Sequence, residues 1–340
     1  MSGTDAGTGT RSRSILIVYL LVFQLIMTST TFRGAAAQQQ STARILLYTA
    51  TADFRHDSIP TAIQVLQNQS ISNGGSFNLR FDATEDRTRF TDDNLAGYDA
   101  VMFVSTTGEV LDASGKTALR NYLDKGGNFI AVHSASDTLR NDSWFGEEVG
   151  AFFDYHPVLQ NATVDVLDPS HPSTSMLPVE WHVQDEMYNS KSDPRSVGAV
   201  VILSANESSY VDDGRRNFDQ GTPHPTAWYQ ERGAGIEESG FAGRSFYTSL
   251  GHLNETWMDE LFISHVMGGV MWALESNTTK AFNSSALVGN TGNDTSNPSN
   301  SAPGPVSTSG NISSFKTVSV TVLLVAVITG VTLAMIRRSL

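Results

Sequence analysis

The 340-residue chain contains no cysteine. That absence removes disulfide cross-links, thiolate nucleophiles and cysteine-ligated zinc together. Positive charge is also scarce: 22 Lys and Arg stand against 35 Asp and Glu, for a formal net charge of −13. All the acids but Asp5 and Asp294 fall between residues 43 and 276, whereas Arg11, Arg13, Arg33, Lys280, Lys316, Arg337 and Arg338 lie outside that stretch. An acidic body without clustered cations excludes nucleic acid as a partner, because gripping a phosphate backbone requires Lys and Arg to displace its counterions. No His-Glu-x-x-His string, no histidine pair at i, i+4 and no Gly-x-Ser-x-Gly elbow occurs, so zincin and ordinary serine-hydrolase chemistry lack support.

Long apolar runs are confined to the two ends. Ile15 to Met27 follows Arg11 and Arg13 and precedes Ala35-Ala36-Ala37, the layout of a secretory signal over residues 1–37. Thr317 to Ile336 carries no charge and is closed by Arg337 and Arg338 in a basic tail of residues 337–340. At ~1.5 Å per residue it is long enough to cross a ~30 Å hydrocarbon core. A single-pass type I helix and a GPI signal both fit it, and either places the domain on the outer face of the cell, tethered to the membrane. Residues 277–316, rich in Asn, Ser, Thr, Gly and Pro, are expected to form a stalk, for want of apolar side chains to offset chain entropy. Nine Asn-x-Ser/Thr sequons, at Asn68, Asn141, Asn161, Asn206, Asn254, Asn277, Asn283, Asn293 and Asn311, fit an exported glycoprotein.

Residues 43–276 have the size of one α/β domain. Strand patterns at 45–49, 77–81, 100–104 and 129–132 alternate with helical patterns. One of these has Ser58 as its cap and Pro60 in its first turn, and another carries Leu119, Tyr122 and Leu123 on one face. Strands also read at 162–167, 197–203, 227–230 and 245–249, the last two as a closing pair, before a helix over 258–274. Alternation of this kind predicts a wound, mostly parallel sheet, whose ligands bind beyond the carboxyl ends of its strands.

Polar residues recur at those ends. His56 follows the first strand and His133 the fourth; His156, Glu186, Tyr188, His224, Trp228 and His252 lie in later connections or strand ends. Imidazoles shuttle protons near neutral pH or ligate metals, and a nearby carboxylate supplies the complementary group. Each histidine taken singly is more often a hydrogen-bonded structural or surface residue than a ligand. Trp144, Trp181, Trp228 and Trp257 have the faces to stack on sugar rings, with core packing as the plainer account.

Together, Phe54-Arg55-His56-Asp57-Ser58-Ile59-Pro60, Asp82-Ala83-Thr84-Glu85-Asp86, His133-Ser134-Ala135-Ser136-Asp137-Thr138, His156-Pro157, Asp185-Glu186-Met187-Tyr188, His224-Pro225-Thr226-Ala227-Trp228 and Gly243 through His252 resemble the trehalose-utilisation (ThuA-like) family. The resemblance implies a flavodoxin-like sheet of the class I glutamine amidotransferase type. It puts His133 where an amidotransferase carries its nucleophilic cysteine, so thioester glutaminase chemistry has no nucleophile. It further implies a carbohydrate or keto-sugar substrate. His133, Glu186, His56 and His252 are then the expected catalytic groups of a hydrolase, lyase or isomerase, with Glu186 as base. His156, His224, Trp228 and Tyr188 are expected to bind the substrate. The same donors suit a divalent metal as Lewis acid, and a surface module that binds sugar without turnover is the alternative.

Overall fold

The structure, a computed structural model, describes residues 41–69 and 78–291. The expected signal, the segment from 292 to the terminal arginines, and the sequons at Asn293 and Asn311 lie outside the described residues. Among the described residues no helix is long and apolar enough to cross a membrane.

Two adjacent strands show how the sequence builds the core. β3 (Ala100–Val104) and β4 (Asn128–Val132) are buried at every position, as continuous apolar runs must be when helices cover both faces of a sheet. They sit in a nine-stranded sheet with β1 (Thr42–Tyr48), β2 (Asn78–Thr84), β6 (Gln160–Val166), β7 (Glu180–Asp185), β9 (Val200–Ala205), β10 (Pro225–Gln230) and β11 (Ser245–Thr248), in the order β2-β1-β3-β4-β11-β10-β9-β6-β7. From β2 to β11 every pairing is parallel, and from β11 outward to β7 every pairing is antiparallel. The parallel half has the flavodoxin-like order 2-1-3-4-5, with its switch point between β1 and β3. A separate two-stranded ribbon joins β5 (Phe153–Tyr155) to β8 (Asn189–Ser190).

Period-two alternation divides the apolar side chains between two cores. Ile45, Leu47, Met102 and Ile130 pack with α1 (Ile59–Asn68) and the C-terminal helix Glu260–Leu274, while Leu46, Tyr48, Phe103 and Phe129 pack with the helices Ala113–Asp124 and Ser143–Val149. In chain order, after the one-turn helix α2 (Asp92–Leu95), these last three are α3 (Ala113–Asp124), α4 (Ser143–Val149) and α5 (Glu260–Leu274). Asp259 caps α5, accepting from Phe262 N at 2.9 Å. A Cβ at Gly269 would lie 2.4 Å from the Phe246 ring, which explains a glycine inside that helix.

Two expectations are corrected. Ser58 does not cap α1 with its side chain; its hydroxyl donates to the Gly251 carbonyl at 3.4 Å. Nor does the chain leave the domain at Asn277. Thr279 and Val288 are buried and bridged, Asn128 Nδ2 donates to Thr279 Oγ1 at 2.6 Å, and Gly289 N and Asn290 N donate to Ala96 O and Asp99 Oδ2. A segment too polar to build a core is held instead by hydrogen bonds to Asn128 and Asp99, so the domain extends past Asn277 at least through Asn290. The sequons at Asn68, Asn141, Asn161, Asn206, Asn254, Asn277 and Asn283 are all at least partly exposed.

Candidate functional site

His133 is the first residue after β4 and has φ +59°, a left-handed conformation that is uncommon for any residue but glycine. Its backbone is held by Tyr247, whose hydroxyl donates to the His133 carbonyl at 3.0 Å. Its Nδ1 donates to the Ser249 carbonyl at 2.7 Å, leaving the Nε2 lone pair directed at the site. The turn after this central strand is therefore strained at His133.

Around that lone pair the carboxyl edge of the sheet gathers residues from distant elements. His56, in the loop after β1, brings Nε2 to 3.0 Å, and the Tyr188 hydroxyl stands at 3.1 Å. Glu186 follows β7; its Oε2 lies 3.7 Å from His133 Nε2 and 3.2 Å from His252 Nδ1, while its Oε1 lies 3.5 Å from His156 Nε2. The donor atoms of His56, His133, Glu186 and His252 all fall within 4.8 Å of one another.

This packing sets the charge states. Burial, reinforced by the neighbouring His252, pushes the His56 imidazole down to about 4. Burial also holds His133 well below the usual histidine range, with His56 adding to the effect. His252 is raised, because the Glu186 carboxylate beside it favours the imidazolium. At neutral pH the cluster therefore presents two uncharged imidazoles.

The donors fit a cation. One sp2 lone pair accepts one donor, yet both the Tyr188 hydroxyl and His56 Nε2 crowd His133 Nε2. If His56 Nε2 is itself unprotonated, two lone pairs face each other at 3.0 Å. His252 Nδ1 is buried and, although near Glu186, makes no aligned hydrogen bond. Tetrahedral donors at ~2.0–2.1 Å from zinc lie roughly 3.4 Å apart, close to the 3.0, 3.2 and 3.7 Å separations of His56 from His133, Glu186 from His252 and Glu186 from His133. The Nδ1–H of His133 on a backbone carbonyl is the outer contact that metal-bound imidazoles make.

Above the cluster is a pocket of about 280 Å³ lined by Phe54, His56, Thr107, Ser134, Asp137, Phe153, His156, Glu186 and Tyr188. His56 and Thr107 flank the switch point after β1 and β3. Asp137 accepts no side-chain hydrogen bond among the described residues and faces Arg140 at 3.3 Å, whose guanidinium also binds Asp53. Burial pushes the Asp137 carboxyl up.

The expected site residues therefore divide. His56, His133, His156, Glu186, Tyr188 and His252 converge. His224 and Trp228 do not. His224 is buried behind the pocket wall, facing the Tyr188 carbonyl at 2.9 Å and Glu207 at 3.0 Å. Trp228 is sealed in the core on the α3–α4 face, with Nε1 donating to the Val149 carbonyl at 2.7 Å. Trp181 and Trp257 are likewise buried. The rings at the pocket are instead Phe54, 64% exposed, and Phe153.

Asp185 was legible only as part of a string. It is fully buried and pushed up to about 7 by burial, against backbone N–H groups that lower it. Its signal was positional: β7 alternates exposed and buried residues, and Asp185 falls on the buried side with Trp181.

A flavodoxin-like sheet with a histidine at its elbow and an imidazole–carboxylate cluster at the carboxyl edge defines an amidotransferase-like α/β protein without the thiol. The chain belongs to the ThuA family, described as trehalose utilisation, whose model matches residues 44–273. It is similar in fold to a ThuA-like protein from Bacteroides uniformis, at 18% identity and TM-score 0.53, over 69% of this chain and 92% of that one. A ThuA-like protein from Parabacteroides merdae is similar at 18% identity and TM-score 0.50, over 69% and 91% of the two chains. A comparison with curated proteins finds no match.

Proposed function

We propose that this chain is an exported, membrane-tethered enzyme that moves a proton at a carbon beside the carbonyl of a carbohydrate or keto-sugar derivative, at a centre that also takes a divalent cation. The observation that carries this reading is the convergence of three imidazoles and one carboxylate within 4.8 Å, two of them, His56 and Glu186, lining a pocket. At about 280 Å³ the pocket lies just below the ~300–1,000 Å³ typical of ligand sites, a size for one sugar ring. Phe54 and Phe153 offer apolar faces, and Asp137, Thr107 and Ser134 offer hydroxyl partners.

His56, His133 and His252, with Glu186 Oε2 beside them, would hold the cation. Bound there, it supplies a Lewis acid for the substrate's carbonyl oxygen. Glu186 Oε1 faces the pocket and accepts the proton from carbon. His156 donates from Nδ1 to the Pro157 carbonyl at 2.7 Å, which leaves Nε2 facing Glu186 to relay the proton back. The net reaction is an isomerisation and needs no redox partner. The runs at 15–27 and 317–336 support export and tether. The binding-only alternative loses three of the tryptophans that motivated it to the core.

The test is deuterium uptake from D2O into a panel of keto-glycosides, with elemental analysis of the purified protein. Wild type is expected to exchange the position beside the carbonyl and to contain a transition metal. Glu186→Gln should slow exchange by about 10²–10⁴-fold. Wild-type rates in both Glu186→Gln and His133→Ala would sink the proposal.

A further inference from the structure

One carboxylate at the site touches neither the pocket nor the cluster of donor atoms. Asp185, the last residue of β7, is fully buried. Its Oδ2 accepts from Gly251 N at 2.8 Å and its Oδ1 from Glu186 N at 2.8 Å, and His252 N lies 3.4 Å from both oxygens. Glu186 follows β7 and His252 follows β11, and in the sheet those strands are separated by β10, β9 and β6. No ladder hydrogen bond joins the two strands, so sheet register alone does not set the 3.2 Å approach of Glu186 Oε2 to His252 Nδ1.

The Gly251 peptide is held from its other side as well. Its carbonyl accepts from Trp257 Nε1 at 3.0 Å and from the Ser58 hydroxyl at 3.4 Å, and Ser58 lies two residues beyond His56. Gly251 has φ +130°, a conformation that side-chain-bearing residues rarely adopt, so this turn needs external partners to keep its shape. A single carboxylate thus ties together the backbone of Glu186, the backbone of His252 and, through the Gly251 peptide, the segment carrying His56.

We infer that Asp185 is the positioning residue that assembles the His56–His133–Glu186–His252 centre, acting through backbone N–H groups rather than on substrate. The inference rests on the proposed cation centre for its first readout only. Outer partners that orient ligands typically change metal affinity by 10–100-fold when altered. A carboxylate serving stability alone would lower the melting temperature without changing the ligand geometry.

The experiment uses the full chain, stripped of metal with a chelator and titrated with Co2+, whose visible absorption band reports coordination geometry. Asp185→Asn preserves volume but replaces one acceptor oxygen with an amide NH2 group facing a backbone N–H. It is expected to weaken Co2+ binding 10–100-fold and to shift the band. Asp259→Ala, which removes a structural helix cap, is expected to lower the melting temperature while leaving Co2+ affinity and band unchanged. Asp185→Asn with wild-type affinity and band overturns the inference.

If wild type itself binds no Co2+, it is the cation centre that fails. Positioning is then decided in metal-free protein by amide hydrogen exchange at Gly251, Glu186 and His252. Acceleration in Asp185→Asn confined to these amides supports it, and unchanged exchange overturns it. If Asp185→Asn does not fold, Asp185→Glu keeps both acceptors but moves them by one methylene. A shifted band then supports positioning, and an unchanged band overturns it.

Discussion

At the level of single residues, the histidines differ in what their second nitrogen meets. His133 and His56 turn ring nitrogens toward other donors, whereas His224 has both nitrogens committed, Nε2 donating to the Tyr188 carbonyl and Nδ1 accepting from the Tyr210 hydroxyl. Sequence context cannot separate these cases, since His56, His133 and His224 all stand near the end or start of a strand. Trp228 was misread for a related reason: it lies within β10, where alternation alone decides which face a side chain takes, and its face is the α3–α4 core. The distinction has a measurable consequence. His56→Ala removes a donor from the cluster and is expected to abolish the bound cation with little loss of stability. His224→Ala leaves the Tyr210 hydroxyl and the Tyr188 carbonyl short of a partner, which should cost about 1–3 kcal/mol while cation content stays at the wild-type level. Urea unfolding and elemental analysis of the two variants check both halves, and loss of metal from His224→Ala would return that residue to the site.

At the level of elements, the parallel half of the sheet was legible because β1 from Ile45, β3, and β4 from Phe129 are uninterrupted apolar runs bounded by helical patterns, as two-face-buried strands require. The antiparallel extension was harder to read. β7 mixes Glu180, His182 and Gln184 with Trp181, Val183 and Asp185, an alternation whose buried side includes a carboxylate and so resembles a loop. The 277–291 segment was misassigned because hydrogen bonds to Asn128 and Asp99, rather than apolar burial, hold it. Glycine in α5 was legible as a packing device, and its strength can be measured. Gly269→Ala gains roughly 1 kcal/mol of helix propensity but drives a methyl to 2.4 Å from the Phe246 ring. Overpacking of this kind costs about 1–3 kcal/mol, so a net loss of up to ~2 kcal/mol in chemical denaturation is expected; a variant clearly more stable than wild type would show that the helix can shift away from the sheet.

For the whole molecule, the described chain begins and ends at the amino edge of the parallel strands, where Asn290 Nδ2 donates to the Thr42 carbonyl, and the pocket opens at the carboxyl edge. Away from that pocket lies a second pair of buried imidazoles. His171 stacks on Tyr229 with ring centroids 4.6 Å apart, its Nδ1 2.9 Å from Ser173 Oγ, and His265 Nδ1 donates to the Ser173 carbonyl at 2.9 Å. Both Nε2 atoms are buried without a hydrogen-bond partner among the described residues. Burial pushes both imidazoles from 6.5 down to about 4; the Asp168 carboxylate opposes this at His171, and Arg244 adds to it. Between those values the unfolded chain binds protons that the folded chain refuses, so stability falls as pH drops from 6.5 toward 4, by up to about 3 kcal/mol for each group. In cation-free protein His56 and His133 add to the same loss. Glu148 and Asp185 act in the opposite direction: burial pushes each up to about 7, so they bind protons in the fold and favour it at low pH. Five imidazoles depressed by burial, His224 included, oppose four raised carboxyls, Asp99 and Asp137 included, and the raised His252, so the rise in metal-free melting temperature from pH 4 to 6.5 that one imidazole contributes is read as a difference between variants. His265→Asn, whose amide can replace the Nδ1 donor without titrating, should lower the wild-type slope by one proton's share. A slope identical to wild type would mean that His265 is protonated inside the fold.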